Sequence, residues 1–182
     1  TTADGVVLQT RTDQHRVNGA SWTTAWDAVS RTTTVTSPMG RVSSRTLDAQ
    51  GRPVELQVGG LEPTRIVYDH QGRIERAVQG GRSATYTYRT DGRVGSVQDA
   101  TGERIDVEWN LAGSISTVTG PDGQPTGLER GDASVIDAMT VPGGVRHEFA
   151  YSPPYQLVEY QAPEIEGVGS VTTFEYDRDG QP

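Results

Sequence analysis

A turn signature returns along this chain at a nearly constant step, and that recurrence limits the fold more than any single residue does. Its clearest copy is Tyr68-Asp69-His70-Gln71-Gly72-Arg73-Ile74. Related stretches are Trp26-Asp27-Ala28-Val29-Ser30-Arg31, Leu47-Asp48-Ala49-Gln50-Gly51-Arg52, Tyr88-Arg89-Thr90-Asp91-Gly92-Arg93-Val94, Trp109-Asn110-Leu111-Ala112-Gly113-Ser114-Ile115 and Tyr176-Asp177-Arg178-Asp179-Gly180-Gln181. The glycine slot falls at 30, 51, 72, 92 and 113, in steps of 21, 21, 20 and 21. A second turn signal alternates with it at Gly40, Gly60, Gly81, Gly102, Gly123 and Gly144. Such a period belongs to stacked supersecondary units that share one continuous structure.

Each unit reads as a β-hairpin. Asp at the first turn position bonds the turn amides, and Gly at the fourth supplies φ > 0, the preference of a type I turn closed by a left-handed glycine bulge. Ahead of the turn, Trp22/Thr24/Trp26, Thr64/Ile66/Tyr68, Ala84/Tyr86/Tyr88, Ile105/Val107/Trp109 and Thr172/Phe174/Tyr176 alternate with more polar residues. A period of two with aromatic and β-branched residues predicts strands with one preferentially buried face.

The same reading places a strand over Val6–Thr12, a tight turn at Asn18-Gly19, and strands over Ala20–Trp26 and Thr32–Thr36. Regular repeats span 22–113 and divergent ones 114–182. In the divergent part Tyr151-Ser152-Pro153-Pro154-Tyr155 fills a motif slot with Ser for Asp and Tyr for Gly, and Arg130-Gly131-Asp132-Ala133-Ser134 fits by spacing alone. The step from 155 to 180 is 25, which predicts about four inserted residues in Pro163–Gly169. No linker divides the 182 residues, so the expectation is one repeat segment over 1–182, cut from a longer array.

Val, Leu, Ile and Phe number 20, 7, 6 and 2, or 35 of 182 residues. That share borders on the disordered range, yet net charge is only -8 and the repeat is regular. A thin single sheet reconciles the two, with some surface left wet or covered by another part of the polypeptide. The pI near 4.8 argues against nucleic acid as a main partner, because phosphate binding needs clustered positive charge. No apolar run reaches the length of a membrane span.

Chemistry-bearing motifs are sparse. The Asp/Arg pairs Asp48/Arg52 and Asp69/Arg73 flank single turns, where they pair locally or with the next repeat. Repetition gives each copy a similar environment, whereas acid–base catalysis needs environments that set pKa values apart. His15, His70 and His147 share no spacing, and two of them fall in predicted turn regions. With no Cys, no phosphate loop and no metal-protease helix, no cofactor or metal is expected. The Asp177–Gly180 run is an Asp-rich turn without the later Glu of a calcium loop. The aromatic ladder alone supports two readings. One is register-holding by cross-strand stacking, and the other is a carbohydrate- or cell-surface-binding face built on Trp22, Trp26 or Trp109.

The spaced Tyr-Asp-x-x-Gly-Arg copies resemble the RHS or YD repeat of bacterial RHS toxins, insecticidal toxin-complex C proteins and teneurins. The resemblance runs from about Trp22 to Ala112 and again over Tyr176–Gln181. It implies an all-β fold of tandem antiparallel hairpins whose curved, spiralling sheet forms part of a larger hollow shell. It implies a secreted or cell-surface structural role, enclosing and protecting a C-terminal toxin domain. Its partners would be flanking repeats and that toxin domain of the same polypeptide, with self-association through exposed sheet edges near Val6 and Phe174. The self-cleavage segment of many relatives has no match among these residues, so no catalytic residue is carried over.

Overall fold

The computed structural model describes residues 9–131, 134–164, 167, 169–177 and 181. Among them there is no helix, and sixteen strands follow one another in the sheet in their sequence order.

Two compact units partition the chain. Unit 1 runs to Thr87 and includes Gln98–Gly102. It contains β1 (Thr10–Val17), β2 (Ala20–Asp27), β3 (Thr32–Thr36), β4 (Val42–Leu47), β5 (Pro53–Val58), β6 (Thr64–Tyr68), β7 (Ile74–Gln79) and most of β8 (Arg82–Tyr88). Unit 2 comprises Tyr88–Val97 and continues from Glu103. Most of β9 (Val94–Asp99) lies in it, followed by β10 (Arg104–Trp109), β11 (Ile115–Thr119), β12 (Pro125–Arg130), β13 (Ile136–Val141), β14 (Val145–Ser152), β15 (Gln156–Gln161) and β16 (Val171–Thr173).

The motif hairpins share one register. Leu47 opposes Pro53, Tyr68 opposes Ile74, Trp109 opposes Ile115, Arg130 opposes Ile136 and Tyr151 opposes Leu157, each across a bulge at the first partner. The bulge absorbs the odd residue of the turn and keeps both opposed side chains on one face. In β6 the consequence is strict: Thr64, Ile66 and Tyr68 are half-buried while Arg65 and Val67 are exposed.

A single layer leaves little interior. Among the described residues only Ala138 and Ser96 are buried, at 2% and 1% exposure. Ala138 owes its burial to a canopy. Glu129, Ala138 and Glu148 form one row across β12, β13 and β14. Arg146 bridges the two carboxylates, Nη2 to Glu129 and Nε to Glu148, both at 2.9 Å.

Several expectations need correction. In the first motif the left-handed residue is Arg31 (φ 52), not slot 30. Asp27 opposes Thr32 there without a bulge, so the loop holds one more residue and the positive φ falls one place later. Two of the second turns take their positive φ one residue ahead of the repeated glycine, at Gly59 and Gly80. Gln79 opposes Arg82 across a two-residue loop, and a type II′ turn wants its glycine first. The last strand stops at Thr173 instead of reaching Tyr176. One further bond joins Phe174 N to Val158 O, and no described strand flanks β16 on its other side. Ile105 is 42% exposed despite its place in an alternating run. Only His70 of the three histidines lies in a turn, since His15 is in β1 and His147 in β14. Val6–Leu8 of the predicted first strand, Asp132-Ala133, Gly180 and residues 165, 166 and 168 of the Pro163–Gly169 insertion lie outside the described residues.

Candidate functional site

The repeated motif is built in two steps, first within a turn and then between repeats. Within the turn, Asp48 does most of the bonding. Its Oδ1 accepts from the amides of Gln50 and Arg52, both at 2.9 Å, and its Oδ2 accepts from Arg52 Nε at 2.8 Å. Asp69 repeats this with Gln71, Arg73 and Arg73 Nε at 2.9, 2.9 and 2.7 Å. Partial burial pushes both carboxyls up, but the arginine amide, the guanidinium and the neighbouring amide outweigh it, so both sit below the ordinary 3.8. Gly51, Gly72, Gly92 and Gly113 have φ of 80, 82, 84 and 85.

Variants at Asn110, Arg89 and Asp177 keep the backbone bond that closes the turn and change the chemistry, while the Asp27 turn changes both. Asn110 Oδ1 accepts from Ser114 N at 3.0 Å, which closes the turn without an ion pair. Where Arg89 takes the Asp place, Asp91 accepts from Arg93 N at 3.1 Å instead. Asp27 bonds the Ser30 amide and hydroxyl, both at 2.7 Å, and these bonds lower its carboxyl. Asp177 Oδ1 accepts from Gln181 N at 2.9 Å. Trp26 is half-buried in β2 opposite Thr33, and Tyr88 closes β8, also half-buried.

Between repeats, four of the motif aromatics reach back one unit. Tyr68 OH donates to Pro53 O at 2.7 Å, Trp109 Nε1 to Val94 O at 2.8 Å, Tyr151 OH to Ile136 O at 3.0 Å and Tyr176 OH to Leu157 O at 2.9 Å. The acceptor is always two residues past the glycine slot of the preceding repeat. The offset is 15 in three cases and 19 in the last, so the four inserted residues leave the ladder in phase. The loop carrying them is closed by Ala162 N donating to Ser170 O at 2.9 Å.

The arginine of one repeat then covers the aromatic of the next. Arg52 lies 4.3 Å above the Tyr68 ring and Arg93 lies 5.6 Å above that of Trp109. The same guanidinium groups also crowd the next glycine. A Cβ at Gly72 would meet Arg52 Nη1 at 3.1 Å, and one at Gly113 would meet Arg93 Nη2 at 2.9 Å. This three-way contact of arginine, ring and glycine has no local sequence signal beyond the 21-residue step itself.

Catalytic geometry is thin by comparison. His147 Nδ1 lies 2.7 Å from the Tyr160 hydroxyl, and His15 packs against Trp22 with ring centroids 6.4 Å apart. Among the described residues no group of three or more His, Asp or Glu is placed to hold a metal ion.

The profile of the teneurin YD-shell family matches residues 2–182. The chain belongs to the teneurin YD-shell family. No curated protein matches this YD-shell sequence. Solved structures match its fold at low identity. A TcdB2-TccC3-Cdc42 crystal structure aligns at TM-score 0.65 with 12% identity, covering 97% of this chain and 12% of that one. A Photorhabdus luminescens Tc holotoxin pore with mutated TccC3 aligns at TM-score 0.63 with 10% identity, covering 91% of this chain and 11% of that one. The YD-shell chain thus spans roughly an eighth of those chains. Its role is that of a structural shell segment.

Proposed function

We propose that residues 1–182 form one wall segment of a YD shell that encloses and protects a C-terminal toxin domain of the same exported polypeptide. The observation that carries this reading is the inter-repeat ladder. In it, Tyr68, Trp109, Tyr151 and Tyr176 are each bonded to the preceding repeat, and Arg52 and Arg93 are stacked on the following one. Motif residues spent on neighbours serve continuity of a wall. On this reading Trp26, Asp27, Asp48, Gly51, Tyr88, Gly92, Asp177, Gly180 and their equivalents are structural.

The carbohydrate-binding reading is weaker for the same reason. Trp109 has its Nε1 committed and a guanidinium over its ring, so it offers no free platform to a sugar. The partners of the segment are flanking repeats that extend the outermost strands. All residues of β1 and β16 are exposed, and unpaired strand edges recruit further strands.

The test is protease challenge of the parent polypeptide. The C-terminal domain should survive in the intact protein and be digested once the repeat array is unfolded in urea. Equal digestion with the array folded would defeat the enclosure reading. Pull-down on peptidoglycan supplies the other arm, where binding lost in Trp22→Ala would favour the carbohydrate face.

A further inference from the structure

One part of the aromatic face in unit 1 is not used by the ladder. Opposed residues across β3, β4 and β5 set Thr33, Arg45 and Leu56 in one row and Val35, Ser43 and Val58 in the next. The surface dips there into an open groove of about 350 Å³. A second hollow of about 280 Å³ shares Val35, Ser43 and Val58 and extends to Arg41 and Trp22. Val35, Leu56 and Val58 make the apolar part of the floor, Thr33 and Ser43 lie among them, and no carboxylate lines either hollow.

The two arginines differ from most others in this chain. Arg52, Arg65, Arg73, Arg104 and Arg146 are each paired with a carboxylate. The guanidinium groups of Arg41 and Arg45 have no hydrogen bond or ion pair among the described residues. Two unpaired cations beside a partly apolar floor, in a chain of net charge -8, form a local surface complementary to an anion.

We propose that this groove binds an extended acidic peptide segment of the pattern acidic-x-aliphatic-x-acidic. Arg41 and Arg45 are four residues apart along one line, about 13 Å at the rise of a strand. An extended ligand presents every second side chain to the same face, so acids four apart meet the two guanidinium groups. The aliphatic residue midway between them lands on Val35 and Val58. An acidic oligosaccharide has matching charge but lacks its platform, because the lining around Arg45 contains no ring and Trp22 stands only at the far end.

The experiment titrates the 182-residue chain, at low ionic strength, against a labelled Gly-Glu-Thr-Leu-Thr-Glu-Gly peptide followed by fluorescence anisotropy. Arg45→Gln and Arg41→Gln should each weaken binding by roughly threefold to fivefold, the range of an exposed ion pair, with Arg45→Lys in between. Replacing both peptide glutamates by glutamine, or its leucine by serine, should weaken binding as well. Arg76→Gln, on the opposite face, should leave it unchanged, and unaltered melting of each variant shows that the fold is intact. Equal binding of the neutral peptide, or of one with its glutamates adjacent, would overturn the proposal. So would tighter binding of oligogalacturonate, or self-association of the chain that Arg45→Gln abolishes. Binding to the free chain is independent of what the parent polypeptide encloses, so its outcome and that of the shell reading are separable.

Discussion

The guanidinium of Arg52 lies 4.3 Å above the ring of Tyr68, one repeat further on, while its Nε bonds Asp48 in its own turn. One side chain therefore closes a hairpin and joins it to the next. A double-mutant cycle of Arg52→Ala and Tyr68→Ala should give a coupling of about 0.5–1 kcal/mol, the worth of a cation–π pair near the surface. Strictly additive urea midpoints would remove Arg52 from the ladder. Tyr68→Phe keeps the ring and loses the bond to Pro53 O, so it should cost about 0.5–1.5 kcal/mol with the coupling retained.

Gly72 answers to two constraints at once. Its φ is 82, and a Cβ there would lie 3.1 Å from Arg52 Nη1. Gly72→Val should therefore be less stable than Gln71→Ala by roughly 1–2 kcal/mol. Equal midpoints in urea would contradict that.

Acid should loosen the Asp48 and Asp69 turns. Asp48 and Asp69 are held below 3.8, so the unfolded chain binds protons more readily than the folded one as pH falls. Their contribution is complete above about pH 5 and is lost as pH drops through their lowered folded values. Asp69→Asn resembles the Asn110 turn, which closes on an amide oxygen. Its urea midpoint should be lower at neutral pH and should fall less steeply below pH 4 than that of the parent chain. An unchanged acid slope would mean that Asp69 is not the group titrating.

The period and the turn chemistry were legible because each glycine and aspartate acts locally, within four residues. Gly51, Gly72, Gly92 and Gly113 could be placed for that reason. What escaped were one-residue choices within a loop. A four-residue loop at Asp27–Thr32 moves the left-handed position to Arg31, and a two-residue loop moves it to Gly80. The stacking of Arg52 and Arg93 on the next repeat escaped too. It depends on how repeats lie against each other, and spacing alone left the arginine free to pair in either direction. The Arg45 groove was invisible for a related reason, since Thr33, Arg45 and Leu56 meet only through cross-strand register.

The divergent repeats carry the last prediction. Tyr155 stands in a glycine slot with φ 79, and Tyr155 N donates to Ser152 O at 2.5 Å, the place of the Gly72-to-Asp69 bond. A non-glycine residue in this region carries strain of about 1–3 kcal/mol, against which glycine costs roughly 0.5–1 kcal/mol in backbone entropy. The Tyr155 side chain is 64% exposed, so little packing is lost on removing it. Tyr155→Gly should therefore raise the urea midpoint, by up to about 2 kcal/mol in stability. Tyr155→Ala is the control, because it removes the ring without relieving the backbone, and it should not be stabilising. If both variants lower the midpoint equally, the ring is worth more than the strain, and the Tyr155 turn is held by its side chain.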